Sequence, residues 1–541
     1  MDTKPKHPEL TEKSDPETLA GTITEIPINP SGHRQELDRN FNLLSICSLA
    51  ITTGNTWVAE GGSIAVAIYN GGPPGVLYEF IVVSVFYWLI AASIAELASA
   101  MPSSGGVYHW ASITAGRYGR VCGWFAGYWN FLAWIFGLAA IAQIVGAQTV
   151  SMYAAFHPAF VMARWHVFVA YLICTWVCCA VVLFANRLLP LLESVGGVLT
   201  VAGVFVTVVV CASMPGVHAL DSFVWRDWLN STGYGSNGFV FLLGMLNGAF
   251  AVGTPDIVSH VAEEIPRYVL SHNATASDHI RYLLNCYFRP SRNIPLAILA
   301  QFIVGFITSF AYLISLFYSI SDLNTILSSR YLFPLASIYE QATNSASGTV
   351  GLLILAFLPN VITCTGCYIT ASRIFWTLAR DNATPFAGTF AKVSPRYRNP
   401  FNAVLFCGGI ATLLGCIYLG SSTAFNAFVG SFVVLSSLSY LAAILPHLLR
   451  RRSGIEPGWF WMRGPTGFIV NGIASLYIIV FVVIFCFPFS MPVAASSMNY
   501  ASLMTGGLSL VVAAFWFWRR EGYVGPKYVG LDVGGLDKEA I

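Results

Sequence analysis

Long apolar runs separated by short polar segments dominate the sequence. A helix needs about 20 residues to cross a bilayer. Twelve runs reach that length, and we number them spans 1 to 12 in chain order: 42–69, 77–101, 121–150, 165–185, 188–210, 238–265, 294–316, 349–378, 401–419, 423–445, 468–487 and 501–518. Because lipid offers no partner for backbone N–H and C=O groups, such runs are predicted to be α-helices. The pattern predicts an all-α polytopic membrane protein with twelve transmembrane helices.

The distribution of basic residues tests this count, because a missed or invented helix would move every later loop to the other side. With both termini on one side, that side receives 25 of the 28 Lys and Arg residues. Positive charge concentrates on the cytoplasmic side of membrane proteins. The asymmetry therefore supports twelve crossings with both termini in the cytosol.

Composition excludes several classes of protein. Hydrophobic residues make up 56% of the chain and charged residues only 10%, and the mean hydropathy is +0.65. Ordinary soluble domains carry about 25% charged residues. The low charge therefore disfavours a soluble enzyme, and the high hydrophobic content disfavours a disordered protein. The net charge of +2 provides no basic surface for a nucleic-acid partner. The expected partners are the lipid bilayer and a small molecule, and the oligomeric state is left open.

The cysteines and the N-terminal region add no further chemistry. Eleven of the 12 cysteines fall in apolar runs, where they are predicted to be packing residues. Cys364 and Cys367 have the CxxC spacing of a redox pair, but no second pair completes a zinc site. We therefore predict no cofactor and no metal. Residues 1–40 are polar and contain no apolar signal-peptide core, so they are predicted to be a disordered cytosolic tail.

Two of the predicted helices contain residues that disfavour a helix near mid-membrane. Gly54 and Asn55 interrupt span 1, and Gly253, Thr254 and Pro255 interrupt span 6. Glycine costs about 1 kcal/mol and proline about 3 kcal/mol relative to alanine inside a helix. Close helix packing through small residues is the alternative explanation. Spans 1 and 6 each begin a set of five helices, and interruptions at matching positions are typical of transporters with inverted repeats.

Four motifs carry a family resemblance. They are ELASAMPSSGGVYHW at 96–110, NRLLPLLE at 186–193, GTPDIVSHVAEEIP at 253–266 and ARDNATP at 379–385. Together they resemble the fungal amino acid/choline transporter family, which includes choline and GABA permeases, of the amino acid–polyamine–organocation superfamily. The resemblance implies a five-plus-five inverted-repeat fold with two extra helices and secondary active transport, usually proton-coupled.

The predicted domain organisation follows from the breaks and the resemblance. A transporter domain is expected over 41–520, and residues 521–541 form a second cytosolic tail. Within that domain the first repeat covers about 42–212 and the second about 238–446. The extra helices cover about 467–519.

Candidate substrate-binding residues cluster at the two breaks and on spans 3 and 8. They offer open backbone, small polar groups and aromatic faces, and an aromatic face can hold a quaternary amine by cation–π attraction of about 0.5–2 kcal/mol. The candidates are Thr53, Gly54, Asn55, Thr56, Trp57, Tyr128, Trp129, Phe250, Ala251, Gly253, Asp256, Thr363 and Thr365. Most aromatic residues of such a chain face lipid or core, and the threonines on span 8 could instead bond to their own helix.

Ionisable residues inside a bilayer are costly and suggest function. Glu60, beside the first break, could counter a cationic substrate, take up a coupled proton or face an outer vestibule. Glu96, Glu263 and Glu264 are predicted near the inner end, where pairing with basic residues would form a gate.

The predicted function is a secondary active permease, in a plasma membrane, that imports a small choline- or GABA-like amine or an amino acid together with protons. An amino-acid or polyamine permease of an internal membrane is the alternative, and a channel is a further one. Sodium coupling is left open. An enzyme is disfavoured because the ten histidines form no HxxxH group.

Residues 268–289 depart from the family pattern, because their removal joins EEIPR to PSRNIP without a gap. We hypothesise an intron retained in the gene model; the alternative is a genuine cytosolic loop. Of three glycosylation sequons, Asn230 is predicted on the outer face, and Asn273 and Asn382 on the inner face.

Overall fold

The structure is a computed structural model that describes residues 32–526 except 34, 65–67, 267–289, 328, 422 and 496. The segment 268–289 and the sequon at Asn273 thus lie outside the described residues. The α-helices are α1 (Leu43–Gly54), α2 (Thr56–Gly62), α3 (Gly72–Ala100), α4 (Val107–Thr114), α5 (Gly119–Phe156), α6 (Arg164–Phe184), α7 (Leu189–Ser213), α8 (Asp221–Trp225), α9 (Asn237–Val252), α10 (Pro290–Tyr318), α11 (Leu323–Leu327), α12 (Pro334–Thr343), α13 (Ala346–Arg380), α14 (Ala387–Phe390), α15 (Phe401–Gly420), α16 (Ala424–Leu449), α17 (Pro465–Ile484) and α18 (Ala501–Arg519). Three 3₁₀ segments cover Gly116–Tyr118, Asn186–Leu188 and Ile257–Glu264.

Eleven helices of the described chain are long and apolar enough to cross a membrane. The predicted span 1 is not among them, because it folds as α1 and α2, which have 12 and 7 residues. Each is shorter than the roughly 20 residues that a crossing requires. The count of twelve is therefore not reproduced as twelve long helices, and the predicted break in span 1 is the reason.

Both predicted breaks are present. Span 1 is interrupted at Asn55, and span 6 opens between Val252 and Ile257. The other spans follow the predicted runs to within a few residues, apart from the earlier start of α3 and the longer α5.

The long helix α5 forms the centre of the bundle. It has 38 residues and packs against α13 and α16, and its most apolar stretch is 94% buried. Glycines allow this close packing: a Cβ on Gly146 would lie 2.7 Å from the Val167 carbonyl oxygen of α6. Around this centre, α1 packs against α7 and α10, and α3 packs against α9.

The two ends of the described chain meet at one end of the bundle. His33 Nε2 lies 2.7 Å from Asp381 Oδ1, and Tyr108 donates a hydrogen bond to Asp381 Oδ2 at 2.7 Å. Tyr523 in turn donates to the Tyr108 hydroxyl at 3.0 Å. At the opposite end, strands β1 (Asn70–Gly71) and β2 (Leu229–Asn230) pair antiparallel.

Candidate solute-binding site

The break between α1 and α2 is held open by polar side chains of α13. Asn55 has a left-handed backbone with φ 29° and ψ 47°, which ends α1. Its side-chain amide donates to Asn360 Oδ1 at 3.1 Å and to Thr363 Oγ1 at 3.3 Å. The Thr363 hydroxyl donates to the Thr52 carbonyl at 2.6 Å. The Thr363 bond satisfies a backbone carbonyl oxygen beside the break, and the Asn55 bonds fix the break to α13.

The second break follows α9 and is stabilised from α10 and α16. The Tyr440 hydroxyl lies 3.1 Å from the Gly253 carbonyl oxygen and 2.7 Å from Asp256 Oδ1. The Gln301 amide donates to Thr254 Oγ1 at 2.7 Å. Beyond the break the chain continues as the 3₁₀ segment Ile257–Glu264.

A small cavity lies between the two breaks. Its lining residues are all buried, and they are Thr53, Gly54, Ala59, Trp134, Gly137, Ile141, Phe250, Thr254, Cys367 and Phe432. The volume is about 20 Å³. A single water needs about 10–15 Å³ by this measure. The cavity is therefore too small for an organic solute, so solute entry requires movement.

Three aromatic rings dominate the cavity wall. Phe432 of α16 meets Trp134 edge to face with ring centroids 5.9 Å apart, and it meets Phe250 in the same way at 5.5 Å. Charged side chains are absent from the lining, and the polar groups there include the hydroxyls of Thr53 and Thr254. Such a wall presents aromatic faces and edges to a bound group and has little capacity to pair an anion.

The Asp256 carboxylate contacts polar side chains from three parts of the bundle. Its Oδ2 accepts hydrogen bonds from Asn130 at 2.7 Å and from Trp134 at 3.1 Å, and it lies 3.1 Å from His260 Nε2. Its Oδ1 accepts from Tyr440. The carboxylate thus joins α5, α16 and the segment after the second break, and its acceptor capacity is used within the protein.

Of the predicted substrate-binding residues, Thr53, Gly54 and Phe250 line the cavity. Ala251 and Gly253 are buried beside it, in and after the last turn of α9. Asn55 and Thr363 serve the first break, as described above, and the Thr365 hydroxyl donates to the Val361 carbonyl of its own helix at 3.3 Å.

The other aromatic candidates lie outside the lining. Trp57 packs edge to face on Tyr312, with ring centroids 5.1 Å apart. Tyr128 donates to the Ala383 carbonyl at 2.7 Å, and Trp129 donates to the Ser509 hydroxyl of α18 at 2.9 Å. Thr56 faces α10, where a Cβ on Gly305 would lie 2.5 Å from its hydroxyl oxygen.

The acidic residues predicted near the inner end pair with arginines, at the end of the bundle that holds both chain ends. Glu264 accepts from Arg373 at 2.9 Å, and Glu263 accepts from Arg380 at 3.1 Å. Glu96 accepts from Arg452. Glu60, in contrast, is fully buried in the other half of the bundle.

Sequence reasoning missed several lining residues, among them Trp134 and Phe432. Both belong to helices that are apolar on all sides, so no pattern marks the face that meets the cavity.

The sequence analysis also did not predict a cluster of three buried thiols. The sulfur atoms of Cys174, Cys178 and Cys364 lie within 4.8 Å of one another. The i,i+4 spacing of the first two was readable from the sequence, whereas the approach of the third depends on how α6 and α13 pack.

The fold and the buried cavity between two broken helices define a multi-pass membrane transporter. The chain belongs to the amino acid permease family, whose profile matches residues 41–508. It is 30% identical to a choline transporter of Saccharomyces cerevisiae over 488 residues, which are 89% of this chain and 82% of the relative. It is 27% identical over 465 residues to a putative amino acid/polyamine transporter of Macrophomina phaseolina, covering 84% of this chain and 96% of the relative.

Among solved structures, a manganese transporter of Eremococcus coleocola has the same fold with a TM-score of 0.52. The match has 14% identity and covers 90% of this chain and 94% of the other. These relatives and neighbours are transporters rather than enzymes, which confirms the resemblance read from the motifs and the transporter class.

Proposed function

We propose that the protein is a secondary active transporter that imports a small quaternary amine of the choline type, together with protons, by alternating access. The observation that carries this proposal is the buried cavity between the two helix breaks. Peptide groups released from a helical ladder are tolerated at membrane depth only where they are buried in protein or line a cavity. Two such breaks facing one another are typical of a transporter's central site.

The aromatic wall favours a cationic amine. The rings of Trp134, Phe250 and Phe432 surround a space without a charged side chain. A quaternary ammonium group is held by such rings at about 0.5–2 kcal/mol each, and it needs no hydrogen-bond acceptor. The similarity to a choline transporter points to the same class of substrate.

The arrangement of charge supports an orientation with both termini in the cytosol, and a plasma-membrane location is proposed with it. The two ends of the described chain meet around Asp381, and the basic loops belong to that same predicted side. The arginine pairs of Glu263 and Glu264 close this end, so inward opening requires these buried ion pairs to separate.

The proposal is tested by uptake of radiolabelled choline, GABA, polyamines and amino acids into cells that express the protein, with and without a protonophore. We expect saturable accumulation of choline that the protonophore abolishes. Accumulation of an amino acid or polyamine alone would contradict the choline assignment. Current without accumulation against a gradient would indicate a channel.

The aromatic site is tested by Phe250→Leu and Phe432→Leu, which keep bulk and remove the ring. Phe205→Leu is the matched control, since Phe205 is 70% exposed on the outside of the bundle. Loss of one cation–π contact of about 0.5–2 kcal/mol corresponds to an increase in KM for choline of about 2- to 30-fold. The neutral carbon analogue 3,3-dimethylbutanol should compete poorly with choline in the unmodified protein. Equal competition, or unchanged KM in both variants, would contradict a cation–π site.

A further inference from the structure

Two buried glutamates face the same helix in the half of the bundle remote from the chain ends. Glu60 lies on α2 and Glu79 lies on α3, and their exposed fractions are 0% and 1%. Each is accommodated by a glycine of α9. A Cβ on Gly248 would lie 3.3 Å from Glu60 Oε1, and a Cβ on Gly244 would lie 2.2 Å from both carboxylate oxygens of Glu79. These glycines are one helical turn apart, so the two carboxyl groups lie at neighbouring positions on one face of α9, in the space that the missing side chains leave.

The hydrogen bonds around this pair leave three of the four oxygens without a donor. The Asn247 amide donates to Glu60 Oε2, and its carbonyl oxygen accepts from the Ser63 hydroxyl at 2.6 Å, which fixes the orientation of the amide. Within the described ranges, no group donates to Glu60 Oε1 or to either oxygen of Glu79. A buried carboxyl group without donors is costly when ionised.

Among the residues that the structure describes, the elements packed around the pair bring no basic side chain to it. α9 contains no ionisable residue. On α10 the facing titratable group is Tyr312, whose hydroxyl lies 3.0 Å from that of Tyr339, while Arg292 lies at the opposite end of the helix, over Trp459. On α17 the titratable group is Tyr477, beside Tyr87.

The helix α8 and the loop after it, at the β1–β2 end of the bundle, bring no positive charge to the two glutamates either. Asp221 of α8 accepts a hydrogen bond from Tyr318, and Arg226 is exposed in the loop that follows α8. Among the ion pairs of the described residues, none includes Glu60 or Glu79.

Two adjacent carboxyl groups in a low-dielectric setting do not both ionise, because burial and mutual repulsion each oppose charge. A metal ion fits less well than a proton: it would need several further oxygen ligands, and Asn247 directs an N–H donor at Glu60. We propose that Glu60 and Glu79 form the proton-binding site of the transporter, a carboxyl pair that gains a proton from the β1–β2 end and releases it during the transport cycle. This inference rests on the proposed function for its role in coupling.

The position of the pair gives protonation a mechanical consequence. Glu60 belongs to the half-helix after the first break. The two glycines that face the carboxyl groups belong to α9, which is the half-helix before the second break. Loss of a proton places a negative charge between α2, α3 and α9 and disfavours their close packing. A change of protonation therefore biases the closure of this half around the solute cavity.

The test uses Glu60→Gln, Glu79→Gln and the double variant in proteoliposomes, with the membrane potential held at zero. Glu340→Gln is the matched control, because Glu340 pairs with Arg330 at the surface and is 44% exposed. A difference of one pH unit, acid outside, supports up to about tenfold accumulation per proton. We expect Glu79→Gln and the double variant to lose this accumulation and to retain exchange of labelled for unlabelled choline. Full pH-driven accumulation in the double variant, or accumulation driven by sodium instead, would overturn the proposal.

A second measurement does not depend on transport. Infrared difference spectra of the purified protein, recorded between acid and alkaline pH, should show the C=O stretch of a buried protonated carboxyl group, shifted in D₂O. The band should be absent or altered in Glu60→Gln and Glu79→Gln and unchanged in Glu340→Gln. Spectra identical in all four proteins would overturn the proton site. A titrating band in a protein that transports none of the tested solutes would reject the proposed function and leave the proton site standing.

Discussion

Single residues decide whether the two helix breaks can meet. Gly54 ends α1 beside Gln301, and a Cβ at this position would lie 2.7 Å from the Gln301 amide nitrogen. That amide binds Thr254 in the other break. The glycine therefore allows one side chain to connect the two interruptions, and a larger residue would force that side chain aside.

We predict that Gly54→Leu abolishes solute uptake and lowers the free energy of unfolding by about 1–3 kcal/mol, the usual cost of overpacking. Gly409→Leu is the control, because a Cβ on Gly409 meets no atom within 4 Å. Uptake assays and thermal melting of the purified variants check both effects. Uptake by Gly54→Leu close to that of the unmodified protein would show that the contact between the breaks is dispensable.

At the scale of elements, Asp256 and Tyr440 fix the second break against α5 and α16. The Tyr440 hydroxyl is shared between the Gly253 carbonyl and the Asp256 carboxylate. Because a hydrogen bond to a charged group contributes about 1.5–3 kcal/mol, this hydroxyl holds the unwound segment in register with its neighbours.

We predict that Tyr440→Phe lowers the free energy of unfolding by about 1.5–3 kcal/mol and reduces uptake. Tyr500→Phe, which removes a hydroxyl bonded to the Ala495 carbonyl at the surface, should change both far less. Thermal unfolding in detergent measures the difference. Equal losses of stability and uptake in the two variants would mean that the bonds of Tyr440 to Gly253 and Asp256 do not hold the break.

The helices and their breaks were predictable because each leaves a local signal: about 20 apolar residues for a crossing, and Gly, Asn or Pro for a break. The rotation of each helix was not. Tyr128, Trp129 and Trp134 all lie on α5, and neighbouring residues on a helix point about 100° apart. An aromatic-rich helix buried on every side gives no polar face to identify which ring meets the cavity.

Glu79 shows a signal that was present and unused. It lies near the start of the predicted span 77–101, and an ionisable residue inside an apolar span suggests function by itself. Its pairing with Glu60, in contrast, depends on the packing of α2 and α3 on α9. The short helices α11 and α12 also escaped prediction, because they lie between two spans and have no bilayer-length apolar run.

At the scale of the whole molecule, the two halves of the bundle on either side of the cavity carry different buried charged groups. Buried arginine–carboxylate pairs close the end that holds the chain ends, and the carboxyl pair lies in the opposite half. Alternating access would open these two ends in turn around a fixed site, so that the solute and the proton are released together.

The central claim, that solute binds between the two breaks, is tested most directly at Cys367, a native thiol in the cavity wall. A thiol-specific methanethiosulfonate reagent that carries a trimethylammonium group resembles the proposed substrate and can enter by the same route. Modification of each cysteine is followed by mass spectrometry under transport conditions, with Cys122, partly exposed at the start of α5, as the internal control. We predict that Cys367 is modified and that saturating choline slows this reaction without affecting Cys122. Cys367 that stays unmodified, or that reacts equally fast with and without choline, would contradict a solute site between the broken helices.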